Sequence, residues 1–122
     1  MKQATRIGEL FFKTDDPKAT KEWYKMHLGL NTDDWGCTFW RKNEKGEKCS
    51  TKWSPFDKKT RCFEPSTKDF VFNYRVANLE ALLIELKKGG AAIAGEMQEF
   101  DYGKFTWILD NEGNKNRIVG AN

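Results

Sequence analysis

One carboxylate, Glu9, has the sequence environment of a chemically active acid. It is followed by Leu10, Phe11 and Phe12, and apolar neighbours desolvate a carboxylate and suit it to proton transfer. Glu9 is therefore the candidate catalytic residue, acting as a general acid or base. The competing interpretation is structural: Glu9 forms an ion pair with an arginine across a groove.

Two arginines, Arg75 and Arg117, are the candidate partners in such a groove. A guanidinium group binds carboxylates and phosphates through paired hydrogen bonds, so each arginine could receive an anionic ligand. Each could equally neutralise Glu9. A cationic or aromatic ligand held by Glu9 is the opposite possibility, and the sequence leaves all three open.

The other candidate ligand-binding residues are large aromatic side chains and one amide. Several aromatic residues around one cavity would hold an apolar or planar ligand, whereas core packing explains any one of them alone. The set comprises Phe11, Trp40, Trp53, Asn73, Tyr102 and Trp107.

Several kinds of chemistry are excluded by composition. The only histidine, His27, falls near the end of a predicted helix, so paired-histidine metal motifs cannot form. Three cysteines include no C-x-x-C pair, which indicates free thiols and a cytoplasmic location. Gly89-Gly90 lacks the pattern of a phosphate-binding loop. No cofactor is expected.

The totals are those of a single domain covering residues 1–122. The formal net charge is +3, from 21 basic and 18 acidic residues, and no apolar run could span a membrane. Trp40-Arg41-Lys42 interleaves an aromatic residue with cations as a base-stacking surface would. An amphipathic strand explains that segment better, and we expect neither a nucleic-acid nor a membrane partner.

Two segments of the chain share one layout of strand, polar turn and helix. The first combines a strand over residues 7–12 with a helix over residues 17–28, and the second a strand over 69–76 with a helix over 79–88. Asp16 and Asn78 are the predicted helix caps. The remaining predicted strands span residues 36–42, 49–55, 91–98, 104–109 and 116–119.

Alternation along the two leading strands separates a helix-facing side from a groove side. The helix-facing residues are Leu10, Phe12, Phe70, Phe72, Tyr74 and Val76. The groove side receives Ile7, Glu9, Phe11, Lys13, Val71, Asn73 and Arg75. This mixture of polar and aromatic residues is typical of a ligand groove rather than a core.

The chain resembles the vicinal oxygen chelate superfamily, which includes glyoxalase I, bleomycin-resistance proteins, fosfomycin-resistance enzymes and extradiol dioxygenases. The resemblance covers nearly the whole chain and is strongest to small glyoxalase-like members. The principal matching stretches are Phe11-Phe12-Lys13-Thr14-Asp15-Asp16-Pro17, His27-Leu28-Gly29-Leu30, Trp53-Ser54-Pro55-Phe56, Asn73-Tyr74-Arg75-Val76, Tyr102-Gly103-Lys104-Phe105 and Trp107-Ile108-Leu109-Asp110-Asn111-Glu112-Gly113-Asn114-Lys115.

This resemblance implies an α+β fold of two paired βαβββ modules forming a curved mixed sheet around a groove. The first module would cover about residues 5–56 and the second about 68–120, and a homodimer is expected. Side chains at four equivalent positions hold the superfamily's metal, when one is present. They correspond here to Glu9, Val71, Arg117 and either Ser50 or Thr51. Because these residues include an aliphatic side chain and a cation, we expect no metal site.

Three functional hypotheses follow. The leading one is a small-molecule-binding protein of the glyoxalase/bleomycin-resistance type whose usual metal site is lost. The alternative is a lyase or isomerase that uses Glu9 as acid and base or binds a metal through unorthodox ligands. The third is an interaction domain that dimerises and has a closed groove.

Overall fold

The computed structural model describes residues 4–100 and 103–120, which form eight strands and two helices. The first half of the chain contains β1 (Ala4–Thr14), α1 (Pro17–Leu28), β2 (Cys37–Lys42) and β3 (Lys48–Asp57). The second half contains β4 (Phe70–Val76), α2 (Leu79–Lys88), β5 (Ala92–Ile93), β6 (Gln98–Phe100), β7 (Gly103–Leu109) and β8 (Lys115–Gly120).

The strands form one curved, unclosed mixed sheet in the order β2-β3-β1-β4-β8-β7-β5, with β6 paired to β7. Each half contains one parallel pair, β1 with β3 and β4 with β8. The leading strands β1 and β4 are antiparallel neighbours and join the halves at the centre of the sheet. The predicted α+β fold class is confirmed.

Both helices begin and end at the predicted residues because their capping signals are local. The Asp16 side chain accepts a hydrogen bond from the backbone N–H of Ala19 at 3.1 Å, and Asn78 caps α2 through Ala81 at 3.0 Å. Gly29 ends α1 in the left-handed region at a φ of 71°, where glycine carries no Cβ penalty. No helix in the described part of the chain is long and apolar enough to cross a membrane.

The helices cover one face of the sheet. Val76, Leu79 and Ile118 form the buried cluster beneath α2, with Tyr74 and Leu82 packed against it. On the other half, Trp53 contacts Phe12 and Tyr24 of α1, with ring centroids 5.2 and 4.9 Å away. The predicted inward orientation of Phe12, Tyr74 and Val76 is confirmed.

A bulge in β1 corrects the predicted alternation. Ile7 pairs with Tyr74, whereas Glu9 pairs with Asn73, so Gly8 is an extra residue between two paired positions. Paired residues of antiparallel strands share a face. Ile7 therefore lies on the helix face, and its predicted groove position was wrong.

The predicted strand over residues 91–98 is also wrong. It is divided into the short strands β5 and β6, which pair with different parts of β7. Gly95 lies between them at a φ of 132°, which is accessible essentially to glycine alone and turns the chain out of the strand direction.

Candidate ligand-binding site

A row of polar residues crosses the concave face of the sheet. The strand registers pair Lys52 with Glu9, Glu9 with Asn73, and Asn73 with Arg117. Paired residues on neighbouring strands lie about 5 Å apart at their Cα atoms and point to the same face. Four residues from four strands and both halves of the chain therefore meet in one line.

This row forms the floor of a cationic pocket of about 450 Å³. Its charged lining residues are Arg6, Glu9, Lys52, Arg75 and Arg117. Four cations and one acid give a formal charge of +3 among the described residues that line it. The sign of this charge favours an anionic ligand, and the possibility of a cationic ligand held by Glu9 loses its electrostatic basis.

Glu9 and Arg117 form an ion pair at the centre of the row. Arg117 Nη1 lies 3.4 Å from Glu9 Oε1, and the two side chains are 13% and 24% exposed respectively. The Arg117 guanidinium also stacks on Phe105, with its central carbon 4.0 Å from the ring centroid, and approaches Phe11 at 5.9 Å. Packing on aromatic faces and pairing with Glu9 allow an arginine to face inward at this position.

Asn73 holds the centre of the row in place. Its side chain is fully buried, and Nδ2 donates a hydrogen bond to the backbone carbonyl of Glu9 at 3.3 Å. Its Oδ1 is buried without a hydrogen-bond partner among the described residues. Asn73 thus fixes the strand that carries Glu9.

Arg6 and Arg75 lie directly opposite each other on β1 and β4, and both line the cationic pocket. Arg6 donates a hydrogen bond from Nη1 to the carbonyl of Ser50. Burial, and secondly the positive charge of Arg75, lower the pKa of Arg6 from its usual value. A Cβ atom on Gly8 would lie 2.9 Å from Arg75 Cγ, so the absence of a side chain at Gly8 makes room for Arg75.

A second pocket of about 390 Å³ adjoins the first and shares Glu9 and Lys52 with it. Its apolar wall consists of Phe11, Trp35, Pro55 and Phe56. The rings of Phe11 and Phe56 are 4.8 Å apart, and Phe56 contacts the buried Phe63 behind it. Both pockets have the volume of ordinary small-molecule sites.

Five predicted site residues come together here. Glu9, Asn73, Arg75 and Arg117 line the cationic pocket, and Phe11 and Glu9 line the apolar one. The ion pair that was one interpretation of Glu9 is present. Whether these residues bind a ligand stays a prediction.

Two of the three predicted tryptophans, Trp53 and Trp40, lie away from the pockets. Trp53 is on the helix face against Tyr24, the opposite side of the sheet from the two pockets, because its neighbour Lys52 occupies the groove side. Trp40 lies exposed on the edge strand β2 beneath the ammonium group of Lys48. Trp107 pairs with Arg117 and therefore lies on the groove face beside the row, although it lines neither pocket. Lys115 covers it, with the ammonium group 4.2 Å from the ring centroid. Tyr102 lies outside the described residues.

Sequence reasoning missed Arg6 and Lys52. Arg6 is three residues from Glu9, a spacing that strict alternation assigns to opposite faces. The available signal was Gly8, because a glycine inside a strand often marks a bulge. The groove position of Lys52 would have followed from knowing that its neighbour Trp53 faces the helices, but the sequence did not determine the orientation of Trp53.

The strand registers also change which residues occupy the metal-ligand positions that the family resemblance implied. Val71 pairs with Phe11, one alternation step away from the row, whereas Asn73 lies in it. The equivalent position on β3 is Lys52 rather than Ser50 or Thr51. Protonated lysine and arginine offer no lone pair to a metal. Within residues 4–100 and 103–120, no group of three or more His, Cys, Asp or Glu residues could hold a metal ion.

Comparison with solved structures shows the same fold. Methylmalonyl-CoA epimerase from Streptomyces coelicolor superposes with a TM-score of 0.70 at 13% identity, covering 97% of this chain and 98% of that chain. The epimerase from Mycobacterium tuberculosis gives 0.63 at 16%, covering 98% and 90%. A glyoxalase/bleomycin resistance protein/dioxygenase superfamily member from Vibrio splendidus gives 0.61 at 11%, covering 94% and 97%.

No protein-family model and no curated protein sequence matches the chain. The superposed structures confirm, at the level of the fold, the resemblance noted in the sequence: the chain has the vicinal oxygen chelate fold of the glyoxalase and bleomycin-resistance proteins.

Proposed function

We propose that this protein binds a small organic anion without a metal ion, with the anionic group in the cationic pocket and the apolar part against Phe11, Trp35 and Phe56. The observation that carries the proposal is the adjacency of the two pockets, which share Glu9 and Lys52. A ligand across this boundary would meet charge at one end and aromatic surface at the other.

The charge of the first pocket supports the sign of the ligand. Glu9 neutralises Arg117 through their ion pair, which leaves the charges of Arg6, Lys52 and Arg75 to attract an anion. Guanidinium groups bind carboxylates and phosphates in a fixed planar geometry, so they orient a ligand as well as attract it.

The composition of the row supports binding without a metal. Two of its four members, Lys52 and Arg117, are cations that would repel a divalent ion. Glu9 contributes the only carboxylate of the four, and it is already paired with Arg117.

The fold is also compatible with an organic ligand. Solved structures of methylmalonyl-CoA epimerases with this fold contain methylmalonyl-CoA or 2-nitronate-propionyl-CoA.

The test uses three ligands that share one ring system and differ in charge: naphthoate, naphthylmethanol and naphthylmethylamine. Isothermal titration calorimetry should give tightest binding for naphthoate, weaker binding for the alcohol and none for the amine. Arg75→Gln should reduce the preference for naphthoate, while Arg61→Gln, an exposed arginine outside both pockets, should not. Equal affinity for the three ligands would contradict the proposal.

A second candidate function is an isomerase or lyase that uses Glu9 as acid and base. It is favoured by the position of Glu9, whose carboxylate lies at the boundary of both pockets where a bound ligand would pass. Proton NMR in D₂O with methylmalonyl-CoA as the probe would show solvent exchange at the acidic carbon. Exchange that Glu9→Gln abolishes would support this function; its absence from the wild type would count against an epimerase-like reaction.

We retain the homodimer and the cytoplasmic location as predictions. The exposed apolar residues Trp23, Met26 and Leu28 on α1 support an association surface. Light scattering coupled to size-exclusion chromatography would measure the mass directly, and a mass of one chain would overturn the dimer.

A further inference from the structure

The opposed arginines Arg6 and Arg75 narrow the class of ligand. Like charges directly opposite each other on neighbouring strands destabilise a sheet, and this pair also lines the pocket. The fold accommodates it through specific features: Gly8 leaves space for Arg75, and the carbonyl of Ser50 accepts a hydrogen bond from Arg6. The strand pairing thus places two guanidinium groups where an anion could approach both.

The acid of the pocket does not neutralise these two groups. Glu9 is the only carboxylate among the described residues that line the cationic pocket, and its Oε1 is paired with Arg117. Arg6 and Arg75 together carry two positive charges, and Lys52 adds a third at the boundary with the apolar pocket. A singly charged carboxylate would leave most of this charge uncompensated.

A phosphate monoester matches the arrangement better. It carries a charge of about −1.5 to −2 at neutral pH, because its second pKa is about 6, and it presents three strong acceptor oxygens. Two neighbouring guanidinium groups on one face of the sheet can each donate hydrogen bonds to such a group. The shared residues Glu9 and Lys52 connect this position to the wall of Phe11 and Phe56.

We infer that the ligand is an organic phosphate monoester with an apolar, planar body, its phosphoryl group seated between Arg6 and Arg75. This inference rests on the proposed binding of an organic anion and specifies its charge and chemical class.

The test compares naphthyl phosphate with naphthyl sulfate by calorimetry. The two esters share their ring and tetrahedral shape, but at about pH 7.5 the phosphate is a dianion and the sulfate a monoanion. We expect the phosphate to bind at least about tenfold more tightly at that pH, since its second charge faces two guanidinium groups that form no ion pair among the described residues. Near pH 5 both esters are monoanions, so the ratio of phosphate affinity to sulfate affinity should fall to a value between about one and about three.

Naphthyl sulfate is the control for pH. Its charge does not change in this range, so any change in its affinity reports a change in the protein. Arg6→Gln and Arg75→Gln should each reduce the phosphate-to-sulfate ratio at least about fivefold, whereas Arg61→Gln should leave it unchanged. Thermal unfolding of each variant identifies loss of the fold, and Arg75→Lys, which keeps the charge, should retain part of the ratio.

The outcomes separate this inference from the function on which it rests. A ratio near one at pH 7.5, with both esters binding, would overturn the phosphate inference and leave anion binding intact. Failure of both esters and of naphthoate to bind would overturn both. Binding of inorganic phosphate as tight as that of naphthyl phosphate would contradict the role assigned to the aromatic wall.

Discussion

The two halves of the chain contribute equivalent positions to the same row, but the side chains at these positions differ in burial. In the first half the row consists of Glu9 and Lys52, and the Lys52 residue is exposed. In the second half it consists of Asn73, which is fully buried, and Arg117, which packs on Phe105. The second half therefore supplies a fixed floor, and the first supplies an exposed side chain, Lys52, that can respond to a ligand.

This asymmetry has a physical consequence for mutation. Changes in the buried half should act mainly on stability, because they break contacts that cannot be replaced by water. Changes at the exposed Lys52 should act mainly on ligand binding, since exposed side chains contribute little to folding.

The largest effect is expected from Arg117→Met. It removes the partner of the part-buried Glu9 and the stacking on Phe105, and should destabilise the fold by about 2–3 kcal/mol, below the range for fully buried pairs because Glu9 is partly exposed. Chemical denaturation measures the loss. The double variant Arg117→Met/Glu9→Gln should recover part of it, because no uncompensated carboxylate remains; simple addition of the two single losses would rule out the ion pair as the cause.

Asn73→Ala tests the floor without changing its charge. It removes the hydrogen bond to the backbone of Glu9 and should cost about 1–2 kcal/mol of unfolding free energy. The matched control is Asn116→Ala on β8, one residue before the row and on the opposite side of the strand from Arg117. A loss no larger than that of the control would show that Asn73 does not hold the row.

Lys52→Gln tests the exposed half. We expect anion affinity to fall about five- to tenfold, since one cation of the pocket is lost, while the unfolding free energy changes by less than about 0.5 kcal/mol. Calorimetry with naphthyl phosphate and denaturation of the same sample give both values. Lys42→Gln at the exposed end of β2 is the control. A large loss of unfolding free energy from Lys52→Gln would contradict the proposed difference in role between the two halves of the row.

Glu9→Gln should give the smallest effect on binding, and in the opposite direction. Removing the carboxylate raises the formal charge of the pocket from +3 to +4, so an anion should bind about two- to fivefold more tightly despite the weakened fold. Weaker anion binding by this variant would contradict the premise that the net charge of the pocket governs anion affinity.

Much of the fold could be read from the sequence because its signals are local. Asp16 with Pro17 and Asn78 define where the helices begin, and both helices have the predicted bounds. The helix-facing positions of Phe12, Tyr74 and Val76 follow from alternation within one strand. The site was predicted less completely. Glu9, Phe11, Asn73, Arg75 and Arg117 were identified, whereas Arg6 and Lys52 were missed. Trp53 was a candidate site residue but lies on the helix face.

What the sequence determined by itself was the repeated strand–helix layout, its capping residues and the identity of the central carboxylate and arginines. Only the tertiary structure decided which residues meet. The bulge at Gly8 brings Arg6 and Glu9 to one face, and the pairing of β1 with β3 and of β4 with β8 adds Lys52 and Arg117 to the row. The reason is that strand register depends on partners distant in the chain, and a shift of one residue moves every following side chain to the other face.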